Sequence, residues 1–555
     1  VNRSPPQRTD EFDRILALPR RPAEYPDDEA KALVSAMTLM LRTHVGTMTL
    51  RPIQAIALFE IGQCMGGFLP IRVSGGKTIV SLLSPTILGA RRPLLLVPAA
   101  LVEATRRRWR ELAYHWRIYP TIEIRSYQWL SRVAAADFLD KSMQPDAIIL
   151  DECHKAKDLG RSVARRLRRY LESSKDKVSV VAMTGTVTKR SVRDYAHIVG
   201  WSLGAAASPL PNGWNELDSW SYALDPPSRA EIERGEGERP VGALCDLPGD
   251  GARDGYRRRL TETFGVVSTK ETAIDIPILI DRFRPPVPHA IRLAVEQMRD
   301  TWATPDDMVF TDAPALWRHC RELALGFYYR WRDPPPKPWL DARRAWSSAA
   351  REIHTHGKRG LDTILQISNA IDAGLYPEAS EPLRAWRAIE GVYKPVTVPV
   401  WVDDYVIDAL ASDALSGPPT WYWTEHTAFA IRLAERTGLP YYGPGASTQE
   451  GRSILDHPRG SSGILSYHSC REGLDLQYVS RNFFTFTPAD GPDRFEQALG
   501  RTHRDGQEAD EVIVRIVSTC QEHEKALDTL IRDAQYIQQT TGQQQKVLIA
   551  DWTDE

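Results

Sequence analysis

A chain of 555 residues exceeds what one hydrophobic core normally spans, so length alone predicts two to four domains. Its 42% hydrophobic and 26% charged residues lie near the globular average, which excludes a disordered or fibrous class. The 70 basic and 72 acidic side chains leave a formal charge of -2, which excludes a globally basic coat but not local patches at Arg106, Arg107 and Arg108, at residues 165–169 and at residues 257–259. Each of those clusters is equally compatible with solvated surface.

The six cysteines are far apart and form no Cys-x-x-Cys pair, as expected of reduced thiols rather than a zinc or redox motif. No apolar run approaches the roughly 18 residues that span a bilayer, and the opening VNRSPPQRTDEFD lacks a secretory hydrophobic stretch. The expectation is a soluble, cytoplasmic protein with no membrane partner. No internal repeat or extended low-complexity tract is visible.

After an N-terminal extension (1–45), TLRPIQAIALFEIGQCMGG predicts an amphipathic helix beginning near Arg51 or Pro52, with Gln54 on its first turn. A short apolar, β-prone segment follows, then Ser74, Gly75, Gly76, Lys77 and Thr78, then a helical pattern. Strand, glycine loop and helix in that order suit phosphate binding. Glycines admit a close backbone approach, the helix N-terminus adds positive potential, Lys77 reaches the β- and γ-phosphates and Thr78 can ligate magnesium. The full phosphate-loop spacing would also have glycine five before Gly76, where Ile71 stands.

PLLLVPAALVEATRRRWRELA predicts a buried strand, a turn at Pro98 and a helix carrying the three arginines. The next apolar strand, AIIL, ends in Asp151 and Glu152, adjacent carboxylates suited to holding magnesium and polarising a water. The following Cys and His are too few to make a metal site. VSVVAM then leads into Thr184, Gly185 and Thr186, which by themselves read as an ordinary turn.

Residues 205–290 are rich in Gly and Pro and predict a loop-rich insertion, whereas 291–400 look mainly helical, with aromatic and Arg residues such as Trp317, Arg318, Tyr328, Tyr329, Arg330 and Trp331. Such interleaving fits either a helical core or base stacking. In 401–540, WYWTEHTAFAIRLAERTGLPYYG predicts strand, helix and strand, and GILSYHSC and RNFFTF predict further strands. Residues 493–507, DRFEQALGRTHRDGQ, set Arg501 and Arg504 three apart; helical continuation as far as Arg501 would aim both guanidinium groups at nearly one point, as a polyphosphate requires. A solvated charged helix is the plain alternative. The tail, 541–555, is polar.

Taken in order, LRPIQ, SGGKT, LLLVPAALV, SYQWL, DECH, TGT, SYHSCREGLDLQ and QALGRTHRDGQ resemble the motif series of superfamily-two helicases. The last two resemble the Swi/Snf-type branch in particular, and residues 497–507 match its closing pattern throughout. TETFGVVSTKETAIDIP is more weakly similar to the segment that begins that branch's second lobe. The resemblance implies an α/β fold of two RecA-like lobes with parallel sheets, lobe 1 at 46–204 and lobe 2 at 401–540, separated by the loop-rich and helical insertions. It implies that Gln54 reads adenine, that Ser74, Gly75, Gly76, Lys77 and Thr78 bind ATP, and that Thr78 and Asp151 bind Mg2+. Asp151 and Glu152 would drive hydrolysis, with Arg501 and Arg504 as fingers. Thr184, Gly185, Thr186, Gly473, Asp475, Gln477 and Gln497 would couple nucleotide to nucleic acid, while Arg106, Arg107 and Arg108 are the candidate nucleic-acid contacts. Two residues depart from the family pattern: Ser74 replaces the usual glycine and Asp475 the usual asparagine. The expected activity is ATP-dependent movement along, or remodelling of, duplex or branched DNA. The alternatives are an ATPase-inactive nucleic-acid scaffold and the motor subunit of a restriction or packaging system.

Overall fold

The structure, a computed structural model, describes residues 8–71, 76–132, 134–174, 177–185, 191–225, 244–245, 251–268, 276–356, 361, 363–489 and 491–553. Its first sheet contains β1 (Gly67–Leu69), β2 (Pro93–Val97), β3 (Glu123–Ser126), β4 (Ala147–Asp151) and β5 (Ser179–Met183). They lie in the order β1-β5-β4-β2-β3, all parallel. Parallel strands covered on both faces need apolar side chains on both, which is why PLLLV, AIIL and SVVAM are continuous apolar runs. Alternate residues divide between two cores: Leu94, Leu96, Ile148, Leu150, Val180 and Ala182 face one, while Leu95, Val97, Ile149, Val181 and Met183 face the other.

The helix Pro52–Cys64 begins where Pro at its first turn allows, but it is not the amphipathic helix expected. Ile53, Gln54, Ala55, Ala57, Leu58, Glu60 and Ile61 are buried around most of its circumference, because the helix Asp27–Leu41 packs over the side turned away from the sheet. Glu60 is tolerated there through its ion pair with Arg21, 2.6 Å away, and hydrogen bonds from Tyr25 and the Gly265 amide.

The second sheet draws on strands scattered over the rest of the chain. They are β6 (Ile278–Phe283), β9 (Thr420–Thr424), β10 (Tyr441–Tyr442), β11 (Gly463–Ser466), β12 (Arg481–Phe484), β13 (Val512–Val517) and β14 (Asp551–Thr553), with β7 (Phe327–Trp331) and β8 (Thr397–Trp401) forming a separate antiparallel pair. The order is β10-β11-β9-β12-β13-β6-β14, again parallel throughout. Trp421, Tyr422, Trp423, Phe483, Phe484, Val514 and Ile516 fill its core. Two strands come from stretches read as loop and tail: β6 lies within 205–290, and β14 closes the sheet's edge from 541–555. The helices His289–Thr301, Ala313–Ala324, Lys337–His356, Ile364–Asp372 and Ser380–Ile389 make up the intervening region around two smaller cores.

The C-terminal helix Gln521–Thr541 joins the halves. Its Leu527 and Leu530 belong to the second core, while Tyr536 donates a 2.9 Å hydrogen bond to Asp225 on the first half. Beyond Gly542 the chain runs buried between the sheets, where Gln543 donates to the Thr184 carbonyl at 3.4 Å, and then returns to β14. Of the arginines at 257–259, Arg259 is buried and donates to the Leu16 and Leu18 carbonyls, so it anchors the N-terminal helix Asp10–Ala17. No helix among the described residues is long and apolar enough to cross a membrane.

Candidate active site between the two sheets

The helix Lys77–Ile87 starts at Gly76, whose φ of 78° lies in the left-handed region. The conformation demands glycine, and a Cβ at Gly76 would stand 2.1 Å from Gln54 Nε2 and displace that amide. Gln54 accepts from the Arg51 amide at 2.9 Å and donates to the Gly76 carbonyl at 3.3 Å, tying the helix Pro52–Cys64 to this loop. Ser74 and Gly75 lie outside the described residues.

Strand β4 delivers Asp151 and Glu152 opposite Lys77. Glu152 has a left-handed φ of 56°, which turns its side chain back to the site. Its Oε1 is 2.9 Å from Lys77 Nζ, and its Oε2 accepts from Thr184 Oγ1 at 3.2 Å and lies 3.3 Å from His154 Nδ1. Burial alone would raise this carboxyl, but Lys77 and His154 outweigh it and hold Glu152 well below the usual carboxylate range. Asp151 goes the other way: burial, then the Glu152 charge, raises it. Tyr127 fixes the Asp151 backbone by donating to its carbonyl at 2.9 Å, whereas the buried Asp151 Oδ1 makes no hydrogen bond.

The second sheet supplies the facing wall. The helix Pro492–Leu499 ends before Arg501, so the helical continuation as far as Arg501 that the sequence allows does not occur. Turns at Gly500 and at Gly506, with φ of 84°, bring the side chains together instead. Arg501 Nη1 and Arg504 Nη1 both donate to the Leu474 carbonyl, at 3.2 and 3.3 Å, and Arg504 also pairs with Asp475. Burial, with Arg504 alongside, lowers the Arg501 guanidinium to about 10, so it keeps its charge at neutral pH. Gly473 has φ of 78° and meets Leu101 of the first half, where a Cβ would come within 2.1 Å.

These residues line one cleft of about 730 Å3: Gln54, Gly76, Lys77, Thr78, Asp151 and Glu152 from the first half, and Gly473, Asp475, Gln497, Arg501 and Arg504 from the second. Thr184 and Gly185 stand behind it against Glu152, and Gln477 lies off its wall; Thr186 is outside the described residues. The arginine triplet divides. Arg106 is engaged with Glu103 at 2.6 Å and the Ile124 carbonyl, while Arg107 and Arg108 line the same cleft. Sequence reasoning missed two ion pairs across the cleft, Arg51 with Asp505 and Lys155 with Glu472 at 3.1 Å. Both partners lie beside recognisable motifs, but pairing over hundreds of residues leaves no periodic signal.

Chemically, a polyanion can be met by Lys77, Arg501 and Arg504. A divalent cation suits the unfilled Asp151 Oδ1 and the Thr78 hydroxyl, given that hard cations at such sites take few protein oxygens and complete their shell with phosphate and water. No group of three or more His, Cys, Asp or Glu among the described residues is arranged to hold a metal by itself. No protein-family model matches the chain, and neither does any curated protein sequence.

Proposed function

We propose that this protein is an ATP-dependent DNA translocase of the Swi/Snf-like type, with two RecA-like lobes whose cleft hydrolyses ATP. The observation that carries the reading is the meeting, in one cleft, of Lys77 and Glu152 with Arg501 and Arg504, which are separated by at least 349 residues of sequence and come with different sheets.

In this mechanism Gly76 and the helix N-terminus behind it receive the phosphates, and Lys77 exchanges Glu152 for phosphate oxygens. Thr78 and Asp151 would hold Mg2+, which when bound neutralises phosphate charge. Glu152, released from Lys77, accepts a hydrogen bond from the attacking water and orients it towards the γ-phosphate. Arg501 and Arg504 stabilise charge that develops on the transferred group. Because those arginines come from the opposite wall, hydrolysis requires the cleft to be closed. Opening after product release then moves one half relative to the other, and that displacement advances a DNA backbone held by both.

The test is steady-state ATP hydrolysis with magnesium, alone and with single-stranded, duplex, forked and four-way DNA and with RNA. Stimulation by duplex or branched DNA is expected. Tight DNA binding without hydrolysis would replace the motor with a scaffold.

A further inference from the structure

One ion pair joins the two walls of the cleft and is unused by the proposed chemistry. Lys155 Nζ of the first half donates to Glu472 Oε1 of the second at 3.1 Å. The side chains are 29% and 17% exposed, so solvent screens this pair less than one on the open surface. On its own wall Glu472 has Arg471 at 3.8 Å, beyond hydrogen-bond reach, so Lys155 is the cation to which it is bonded. The other cross-cleft pair, Arg51 with Asp505, is nearly half exposed on both sides and is screened more strongly. Lys155 is not among the residues that line the cleft.

The backbone at each end of the pair leads directly to a catalytic group. Lys155 belongs to the short turn Cys153–Ala156 that begins at Glu152, and its amide donates to the Glu152 carbonyl at 3.0 Å. Because Glu152 sits on a left-handed backbone, the direction of its carboxylate depends on how that turn is held. Glu472 stands two residues before Leu474, whose carbonyl accepts from Arg501 and Arg504 together, and the Leu476 amide donates to the Arg501 carbonyl at 3.1 Å. Between Glu472 and Leu474, Gly473 packs closely on Leu101 of the first half. A continuous bonded path thus runs from the Glu152 turn, through Lys155 and Glu472, to the loop from which both guanidinium groups hang.

We propose that Lys155 and Glu472 are a positioning pair that sets the register of Arg501 and Arg504 against Glu152 across the closed cleft. With the pair made, the carboxylate that orients water and the guanidinium groups that meet the transferred phosphate face one another at a fixed separation. With it broken, each half keeps its own residues in place, but the two sets shift relative to each other. A displacement of about 1 Å between reacting groups costs up to about 100-fold in rate, so a pair remote from the nucleotide can control turnover. The catalytic consequence rests on the proposed ATPase reading; the link between the two walls does not.

The experiment compares the full-length wild type with Lys155→Glu, Glu472→Lys and the double variant that exchanges the two charges. Steady-state ATP hydrolysis with magnesium and duplex DNA gives kcat and KM, and amide hydrogen exchange without nucleotide follows residues 150–157 and 470–477 in the same proteins. Each single reversal is expected to lower kcat about 10-fold, with KM for ATP changed far less, and to lose protection in both segments. The double variant should recover kcat to within about 3-fold of the wild type and regain the protection, because the pair is restored with its polarity exchanged. Lys155→Met, which keeps the length of the side chain without its charge, takes the place of a reversal that does not fold and should show the same split between kcat and KM. Wild-type kcat in the single variants, or a double variant no faster than the slower single, overturns the inference. A wild type that hydrolyses no ATP removes the ATPase reading instead, and exchange then decides the pair: protection lost in the singles and regained in the double upholds the link between the walls, and unchanged protection overturns it.

Discussion

Lys77 Nζ and Glu152 Oε1 lie 2.9 Å apart, joining the start of the glycine-loop helix to the end of strand β4. Both side chains are nearly enclosed, with 10% and 13% of their surface exposed, so each charge depends on the other for compensation. Lys77→Ala is expected to abolish ATP hydrolysis and to cost about 3 kcal/mol of stability, because it strands a buried carboxylate. In the double variant with Glu152→Gln, most of the stability should return while activity stays lost. Thermal melts and hydrolysis rates on the two singles and the double measure both effects.

Gly76→Ala tests the loop without changing a charge. Its added methyl meets the Gln54 amide and sits on a backbone with φ of 78°, so a loss of about 1–3 kcal/mol and a marked fall in ATP affinity are expected. Unchanged binding of a fluorescent ATP analogue by this variant would show that the loop is not in contact with phosphate.

Asp475 departs from the residue usual in the resembling family, and its partner in the structure is Arg504. The carboxylate is 72% exposed, so solvent screens the pair and its worth is modest. Asp475→Asn releases Arg504 and removes a negative charge from the cleft wall. The KM for ATP should fall by a few-fold with kcat little altered, as read from saturation curves at low ionic strength.

The parallel α/β character was legible because fully buried strands such as PLLLV and SVVAM leave unbroken apolar runs bounded by turn residues. Asp151, Glu152 and Lys77 stood out because their chemistry depends on position relative to a strand end or helix start. What stayed hidden depends on tertiary context. Strand β6, ILIDRF, alternates instead of running apolar throughout, and the Gly- and Pro-rich sequence before it masked it. The helix Pro52–Cys64 keeps Gln54 and Glu60 inside through specific partners, which periodicity cannot register. The end of the helix at Leu499 was missed since Gly500 was the single stop signal in a run otherwise rich in helix formers. Arg501 and Arg504 nevertheless converge, by turns rather than by helical spacing.

His523, at the start of the C-terminal helix, is fully buried, and burial with Arg321 nearby lowers it to about 3 from an ordinary 6.5. Its Nδ1 accepts from the Thr519 amide at 3.2 Å, as a neutral ring does. The folded state therefore binds fewer protons than the unfolded state below pH 6.5, and stability falls as the pH drops through that window. The expected contribution is about 2 kcal/mol lost between pH 6.5 and pH 5. Melting curves of the wild type and His523→Gln over this range should differ in slope, with the variant less sensitive to pH.

On the proposed function, a residue of the second sheet completes a catalytic site founded on the first. The most direct measurement is single-turnover ATP hydrolysis by Arg501→Ala with saturating magnesium and duplex DNA, alongside ATP binding. A loss of about 10³-fold in rate, with DNA binding retained and ATP affinity reduced far less than the rate, is the predicted result. Hydrolysis at the wild-type rate would mean that the two halves share a cleft without sharing a reaction, and would remove Arg501 from catalysis.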